Sequence, residues 1–178
     1  MVGCNFKDFS PYEGDVDEER DVVTMLPRIN KLTLQCVDKM THVWNQVSPL
    51  HHIYANLETV QVSECGSLIS LSRASSSFQN LITSDVWNCK EMVELITSSK
   101  AQCLEQLVTL KIGECEMMRE LIASDGDEAT YHEIIFKELK CLELYDLQNL
   151  KSFCSRNYTL ESPLLDDVYV SDYPAIEL

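Results

Sequence analysis

A chain of 178 residues with 45% apolar content is long enough to build one domain around its own core. Its formal charge of −15 sets 29 acidic side chains against 14 basic ones, so it lacks the clustered cations that phosphate binding requires, and nucleic acid and acidic membrane surfaces would both repel it. No apolar run approaches the roughly 18 residues that span a bilayer, and Met1 to Asp8 contain no apolar stretch of signal-peptide length, so a cytoplasmic setting, or a nuclear one, is expected.

Residues 1–28 form an acidic N-terminal segment in which Glu13, Asp15, Asp17, Glu18, Glu19 and Asp21 crowd together. It reads as a solvated stretch or a degenerate repeat, since Phe6, Phe9 and Tyr12 do not keep the register that follows. A calcium loop opening at Asp15 is rejected, because its sixth position is Arg20 instead of glycine and its twelfth is Leu26 instead of glutamate.

From residue 29 onward the pattern L-x-x-L-x-L-x-x-C-x-x-L-x-x-L returns six times, starting at Ile29, Leu57, Leu81, Leu107, Leu139 and Leu165. The mean interval of about 27 residues falls in the range of leucine-rich repeats. The second copy is the cleanest (Leu57, Val60, Val62, Cys65, Leu68, Leu71), and the fourth (Leu107, Leu110, Ile112, Cys115, Met118, Leu121) and fifth (Leu139, Leu142, Leu144, Leu147, Leu150, Phe153) follow it closely. An apolar residue three places upstream precedes five copies, at Leu26, Tyr54, Phe78, Leu104 and Phe136.

Within each copy, alternation of apolar and polar residues predicts one short strand with two side chains pointing inward. The spacing then changes to every third residue, which predicts a turn and a loose helical or 3₁₀ return. One unit cannot bury its own apolar face, but stacked units can. The expected fold is therefore an α/β leucine-rich-repeat solenoid over residues 29–178. It is a horseshoe arc with a concave parallel sheet of about six short strands and an irregular or short helical convex side.

Two positions break the pattern. Ser84 stands where the other copies place Leu32, Val60, Leu110, Leu142 and Val168, so the third unit should pack less well. The last copy stops at Ile176-Glu177-Leu178 without a polar cap, which suggests that the repeats belong to something longer, a fragment or a truncated paralogue.

Of the eight cysteines, Cys65, Cys89 and Cys115 share one slot in three successive copies and read as stacked, reduced core thiols. Parallel strands about 4.8 Å apart would also permit a disulfide between neighbours. Zinc spacings are missing, and His51 and His52 are adjacent, pointing to opposite sides of any strand. Asn157-Tyr158-Thr159 matches a glycosylation acceptor but reads as coincidence without a secretion signal.

No phosphate loop, H-E-x-x-H or G-x-S-x-G motif is present, and His42, His51, His52 and His132 fall outside the strand cores. No enzyme chemistry and no cofactor are expected. Function is sought in the outward strand positions. One column reads Thr33, Gln61, Asp85, Lys111, Glu143, Tyr169, the next Gln35, Ser63, Trp87, Gly113, Tyr145, Ser171, and a third contains Thr59, Thr83 and Thr109. Exposed aromatics are favoured interface anchors. Gly113 between Trp87 and Tyr145 should leave a shallow notch flanked by two rings and edged by Lys111, Tyr169 and Asp85. It would be either a contact site for a protein partner or a place where aromatics merely shield the sheet.

The strings Leu57-Glu58-Thr59-Val60-Gln61-Val62-Ser63-Glu64-Cys65 and Leu107-Val108-Thr109-Leu110-Lys111-Ile112-Gly113-Glu114-Cys115 resemble the C-terminal repeats of plant coiled-coil nucleotide-binding leucine-rich-repeat (NLR) disease-resistance proteins. Phe78-Gln79-Asn80-Leu81, Ser152-Phe153-Cys154-Ser155 and Thr41-His42-Val43-Trp44 carry the same likeness. The resemblance implies recognition of a pathogen effector or guarded host protein, or contact with the nucleotide-binding domain of a parent receptor, in defence signalling. The nucleotide-binding module itself is absent from this sequence. Substrate-recognition repeats of a ubiquitin-ligase adaptor are the alternative. Those tend to continue C-x-x-I-T-D, whereas this chain continues Gly66-Ser67-Leu68, Lys90-Glu91-Met92 and Glu116-Met117-Met118.

Overall fold

A computed structural model describes residues 29–44, 56–72, 78–124, 132–154 and 158–172. The acidic segment 1–28, the acidic residues Asp125, Asp127 and Glu128, and Tyr54, His51, His52, Asn157, Tyr173 and Ile176 lie outside the described residues.

In chain order the elements are β1 (Lys31–Gln35), β2 (His42–Trp44), β3 (Thr59–Ser63), β4 (Ser70–Ser72), β5 (Thr83–Trp87), β6 (Ile96–Thr97) and α1 (Ser98–Ala101). They continue with β7 (Thr109–Gly113), β8 (Glu120–Ala123), β9 (His132–Ile135), β10 (Cys141–Tyr145), β11 (Ser152–Cys154), β12 (Tyr158–Glu161) and β13 (Asp167–Ser171). Each of the six repeats contributes one five-residue strand, and these pair in parallel in the order β1-β3-β5-β7-β10-β13. The register matches the repeat alignment residue for residue, with Leu34 beside Val62, Val62 beside Val86, Val86 beside Ile112 and Ile112 beside Leu144. The inward residues Val62, Val86, Ile112 and Leu144 are essentially inaccessible. A parallel sheet of this kind can form only because each turn of the solenoid supplies the long crossover that parallel neighbours need.

The residue that ends each strand takes the left-handed conformation in all six repeats: Cys36, Glu64, Asn88, Glu114, Asp146 and Asp172 have φ between 44° and 55°. Asn and Asp tolerate this region, whereas Cys and Glu adopt it at a steric cost. Its amide still extends the ladder, as Glu64 N–H donates to the Trp87 carbonyl at 3.0 Å and Asn88 N–H to the Gly113 carbonyl at 2.9 Å. The kink turns the next side chain inward, which buries Val37, Cys65, Cys89, Cys115 and Leu147. The three thiols are free and stack in the core, each donating to a carbonyl two residues back: Cys65 to Ser63, Cys89 to Trp87 and Cys115 to Gly113.

Of the irregular and short helical return paths expected, the structure takes the irregular one. Leu68 N–H bonds the Cys65 carbonyl, Met92 the Cys89 carbonyl, Met118 the Cys115 carbonyl and Leu150 the Leu147 carbonyl, so each is a single i→i+3 turn. One such turn explains apolar residues three apart without a helix. The chain then extends again into short parallel pairings, β2-β4, β6-β8-β11 and β9-β12. Among the described residues the only helix is the four-residue α1. The same turn recurs ahead of the concave strands, closing Phe78 to Leu81, Leu104 to Leu107 and Ser162 to Leu165, and it accounts for the apolar row three places upstream.

The core lies between the concave sheet and these convex pairings. At the far edge of the sheet, β13 leaves Val168 58% and Val170 48% exposed, whereas Leu142 and Leu144 in the preceding strand are buried. An apolar hollow of about 910 Å³ opens beneath this edge, lined among others by Leu110, Leu142, Phe153, Leu160 and Val168. Ser84 occupies its inward slot at 2% exposure, and its hydroxyl has no hydrogen-bond partner.

Candidate functional site

All eight residues singled out on the concave face sit on the six-stranded sheet. Gln61, Asp85, Lys111, Glu143 and Tyr169 are successive register partners across β3, β5, β7, β10 and β13. Trp87, Gly113 and Tyr145 are successive partners in the neighbouring column. Thr59, Thr83 and Thr109 line up as the third.

The open notch expected at Gly113 is not there. A Cβ placed on Gly113 would fall 2.5 Å from Trp87 Cε3 and 2.7 Å from Cη2, with Cζ3 nearer still. Three adjacent ring carbons at such similar separations mean that the indole covers the glycine face-on. Gly113 is a strand residue whose φ lies outside the left-handed region, so glycine is needed here for space and not for a left-handed φ. Because the strand between them presents no side chain, Trp87 and Tyr145 meet across it, with ring centroids 5.4 Å apart and planes tilted by 56°. Tyr145 in turn stacks on Tyr169, at 4.6 Å and 28°. Parallel strands are about 4.8 Å apart, so three rings form a continuous ladder over β5 to β13.

Beside the ladder, Lys111 Nζ lies 2.7 Å from Glu143 Oε1, with the two side chains 38% and 23% exposed. The contact raises the Lys111 ammonium's pKa and lowers that of the Glu143 carboxyl, the hydrogen bond between them being the larger cause for each. Glu143 also accepts from Cys141 Sγ at 3.5 Å and from Tyr145 Oη at 3.4 Å. Burial, then the charge of Glu143, pushes the Tyr145 phenol up. The repeat alignment puts Lys111 and Glu143 in one column without pairing them, although opposite charges one repeat apart were the available signal. The Tyr145–Tyr169 stack runs diagonally between two columns, which a column-by-column reading does not show.

Chemically, the face offers flat aromatic surface and fixed charge. Among the described residues no three His, Cys, Asp or Glu side chains are grouped to hold a metal ion, and no helix is long and apolar enough to cross a membrane. In the thiol column, the neighbouring Cys115 thiol and then burial push Cys89 up to about 12, the neighbouring Cys89 thiol and then burial raise Cys65 as well, and Cys89 lowers Cys115.

No curated protein and no solved structure gives a match. The family described as plant disease resistance protein RPS2-like, leucine-rich repeats, matches over residues 4–76 and 71–177. Repeats of this kind are non-catalytic protein-interaction modules. With six repeats stacked in register and a match running over nearly the whole length, the chain belongs to the leucine-rich-repeat family of RPS2-like plant disease resistance proteins.

Proposed function

We propose that this chain is the protein-recognition region of a plant intracellular immune receptor of the nucleotide-binding type, acting without catalysis and without a cofactor of its own. Its ligand is a protein: a pathogen effector, a guarded host protein, or the nucleotide-binding part of the parent receptor. The observation that carries this reading is the three-ring ladder of Trp87, Tyr145 and Tyr169, built from outward strand positions that the core does not need. Aromatic side chains on a rigid sheet supply large contact area at little entropic cost, which is why they recur as interface hot spots. The family match favours disease-resistance repeats, and nothing supports the ubiquitin-adaptor alternative.

A display library of pathogen effectors and host proteins, screened with the full chain, tests the proposal. Each binder is then titrated calorimetrically against Trp87→Ala/Tyr145→Ala and against Glu133→Gln/Glu161→Gln on the convex strands β9 and β12. Binders should lose at least tenfold in affinity on the first variant and keep it on the second. Binders indifferent to the concave pair would overturn the siting, and a library yielding no protein binder would overturn the recognition role.

A further inference from the structure

The charge around the aromatic ladder is one-sided. From β5 to β13, the outward strand positions and the residue closing each strand carry Asp85, Glu114, Glu143, Asp146, Asp167 and Asp172, against one cation, Lys111. That cation is held by Glu143. The other ion pairs among the described residues, Lys90–Glu116 and Lys137–Glu105, engage none of the remaining five carboxylates. Glu114, Asp146 and Asp172 are not scattered. They occupy the left-handed position that ends three successive strands, so they form a row along the carboxyl edge of the sheet, next to Gly113, Tyr145 and Ser171.

The rings add a second requirement. Trp87 lies with one indole face against Gly113, so the opposite face is turned away from the sheet, and Tyr169 is 50% exposed. A planar cation over an aromatic face is attracted by the ring quadrupole, and tryptophan is the strongest partner. Guanidinium combines that stacking with bidentate donation to a carboxylate, which ammonium cannot do. Phosphate-bearing ligands are repelled by the same carboxylates, and a purely apolar ligand would leave them desolvated and unpaired.

We propose that the ladder and its carboxylate row bind a basic, arginine-bearing segment of the partner protein, with guanidinium groups stacked on Trp87 and the tyrosines and donating to Glu114, Asp146 and Asp172. The inference rests on the concave face being the recognition surface. With ring centroids 5.4 and 4.6 Å apart, the ladder is about 10 Å long, which an extended segment of three or four residues covers. Arginines at alternate positions of such a segment would face the sheet.

The probes are three synthetic peptides of one length, with arginine, lysine or glutamate at alternate positions among glycines. They are titrated calorimetrically into the full chain at two salt concentrations. The arginine peptide should bind at least fivefold more tightly than the lysine peptide, and the glutamate peptide should not bind. Trp87→Ala should remove the preference for arginine. Glu114→Gln/Asp172→Asn should weaken arginine binding about tenfold, while Glu133→Gln/Glu161→Gln, which removes the same charge from the convex side, should weaken it less than twofold. Circular dichroism confirms that each variant is folded. Equal affinity for lysine and arginine, or equal losses from the two charge pairs, would reduce the interaction to bulk attraction and overturn the proposal. If the library binders of the preceding section need Trp87 and Tyr145 yet none presents a basic segment, the partner chemistry is wrong while the recognition face stands.

Discussion

Replacing Ser84 with valine should make the protein more stable, which is unusual for a substitution inside a core. Ser84 is 2% exposed, its hydroxyl has no partner, and its register neighbours are Val60 and Leu110, both buried. Leaving a buried hydroxyl unsatisfied costs about 1–3 kcal/mol. Exchanging serine for valine removes that cost and adds two methyl-sized groups of burial, each worth about 0.8 kcal/mol. Against this stands a crowding penalty of about 1–3 kcal/mol if the slot is already closed. The same slot accepts a buried valine in β3, and a β-branched side chain suits a strand, so a net gain of about 2 kcal/mol is expected. For a chain of this size that corresponds to a rise in Tm of roughly 4–8 °C. Urea titration and thermal melts of Ser84→Val and Ser84→Ala measure it, with the urea slope showing whether the repeats still unfold together. A destabilised Ser84→Ala would refute the claim that the hydroxyl is unpaired. A Ser84→Val less stable than Ser84→Ala would refute the claim that the slot has room.

Gly113→Ala should displace the Trp87 indole without altering the fold, because the new methyl group would fall where the ring lies. A red shift in tryptophan emission and a loss of about 1–2 kcal/mol are expected, and an unshifted spectrum would contradict the packing. Glu143→Gln should destabilise by less than about 1 kcal/mol at neutral pH, given the exposure of both partners. The folded carboxyl's pKa lies below its ordinary value of 4.5, so its contribution is present above that pH and is lost as pH falls through the lowered value. The stability curves of the wild type and of Glu143→Gln should therefore converge in acid, and a gap that persists there would rule the ion pair out as its cause. Cys65, Cys89 and Cys115 should resist a thiol reagent in the native protein at pH 8, being buried and, for the first two, raised in pKa. All eight cysteines should react in denaturant without reductant, and fewer than eight would reveal a disulfide.

The concave sheet was legible because its evidence is local and repeated. Alternation within Thr59 to Ser63, copied in Thr109 to Gly113, fixes both the strand and the face it buries, and a one-residue slip would expose every apolar side chain. The convex side was not legible in the same way. Residues three apart, such as Cys65, Leu68 and Leu71, fit a helical turn and a single β-turn equally well. What decides between them is the pairing of Ser70–Ser72 with a strand from another repeat, which is not written in either segment alone. The notch failed for a related reason. Sequence shows that Gly113 has no side chain, but not that an indole one strand away is long enough to lie across the gap.

Stability and recognition are carried by different atoms of the same strands. The ladder that holds β5 to its neighbours is backbone, continued past each strand end by amides such as Asn88 and Glu114, and the core is filled by Val86, Ile112, Leu144 and the residues stacked behind them. Outward positions enter neither system. Side chains there can therefore vary from repeat to repeat, as Gln61, Asp85, Lys111, Glu143 and Tyr169 do within one register row, while the strand geometry beneath them stays the same. Gly113 is where the two systems meet: by presenting no side chain it lets an outward residue of β5 touch an outward residue of β10. The ladder of rings is thus a property of four strands together. Removing any one ring should weaken a partner's hold on the others, and the Trp87 and Tyr145 rings touch, so substitutions at the two positions should be non-additive in binding and in stability alike.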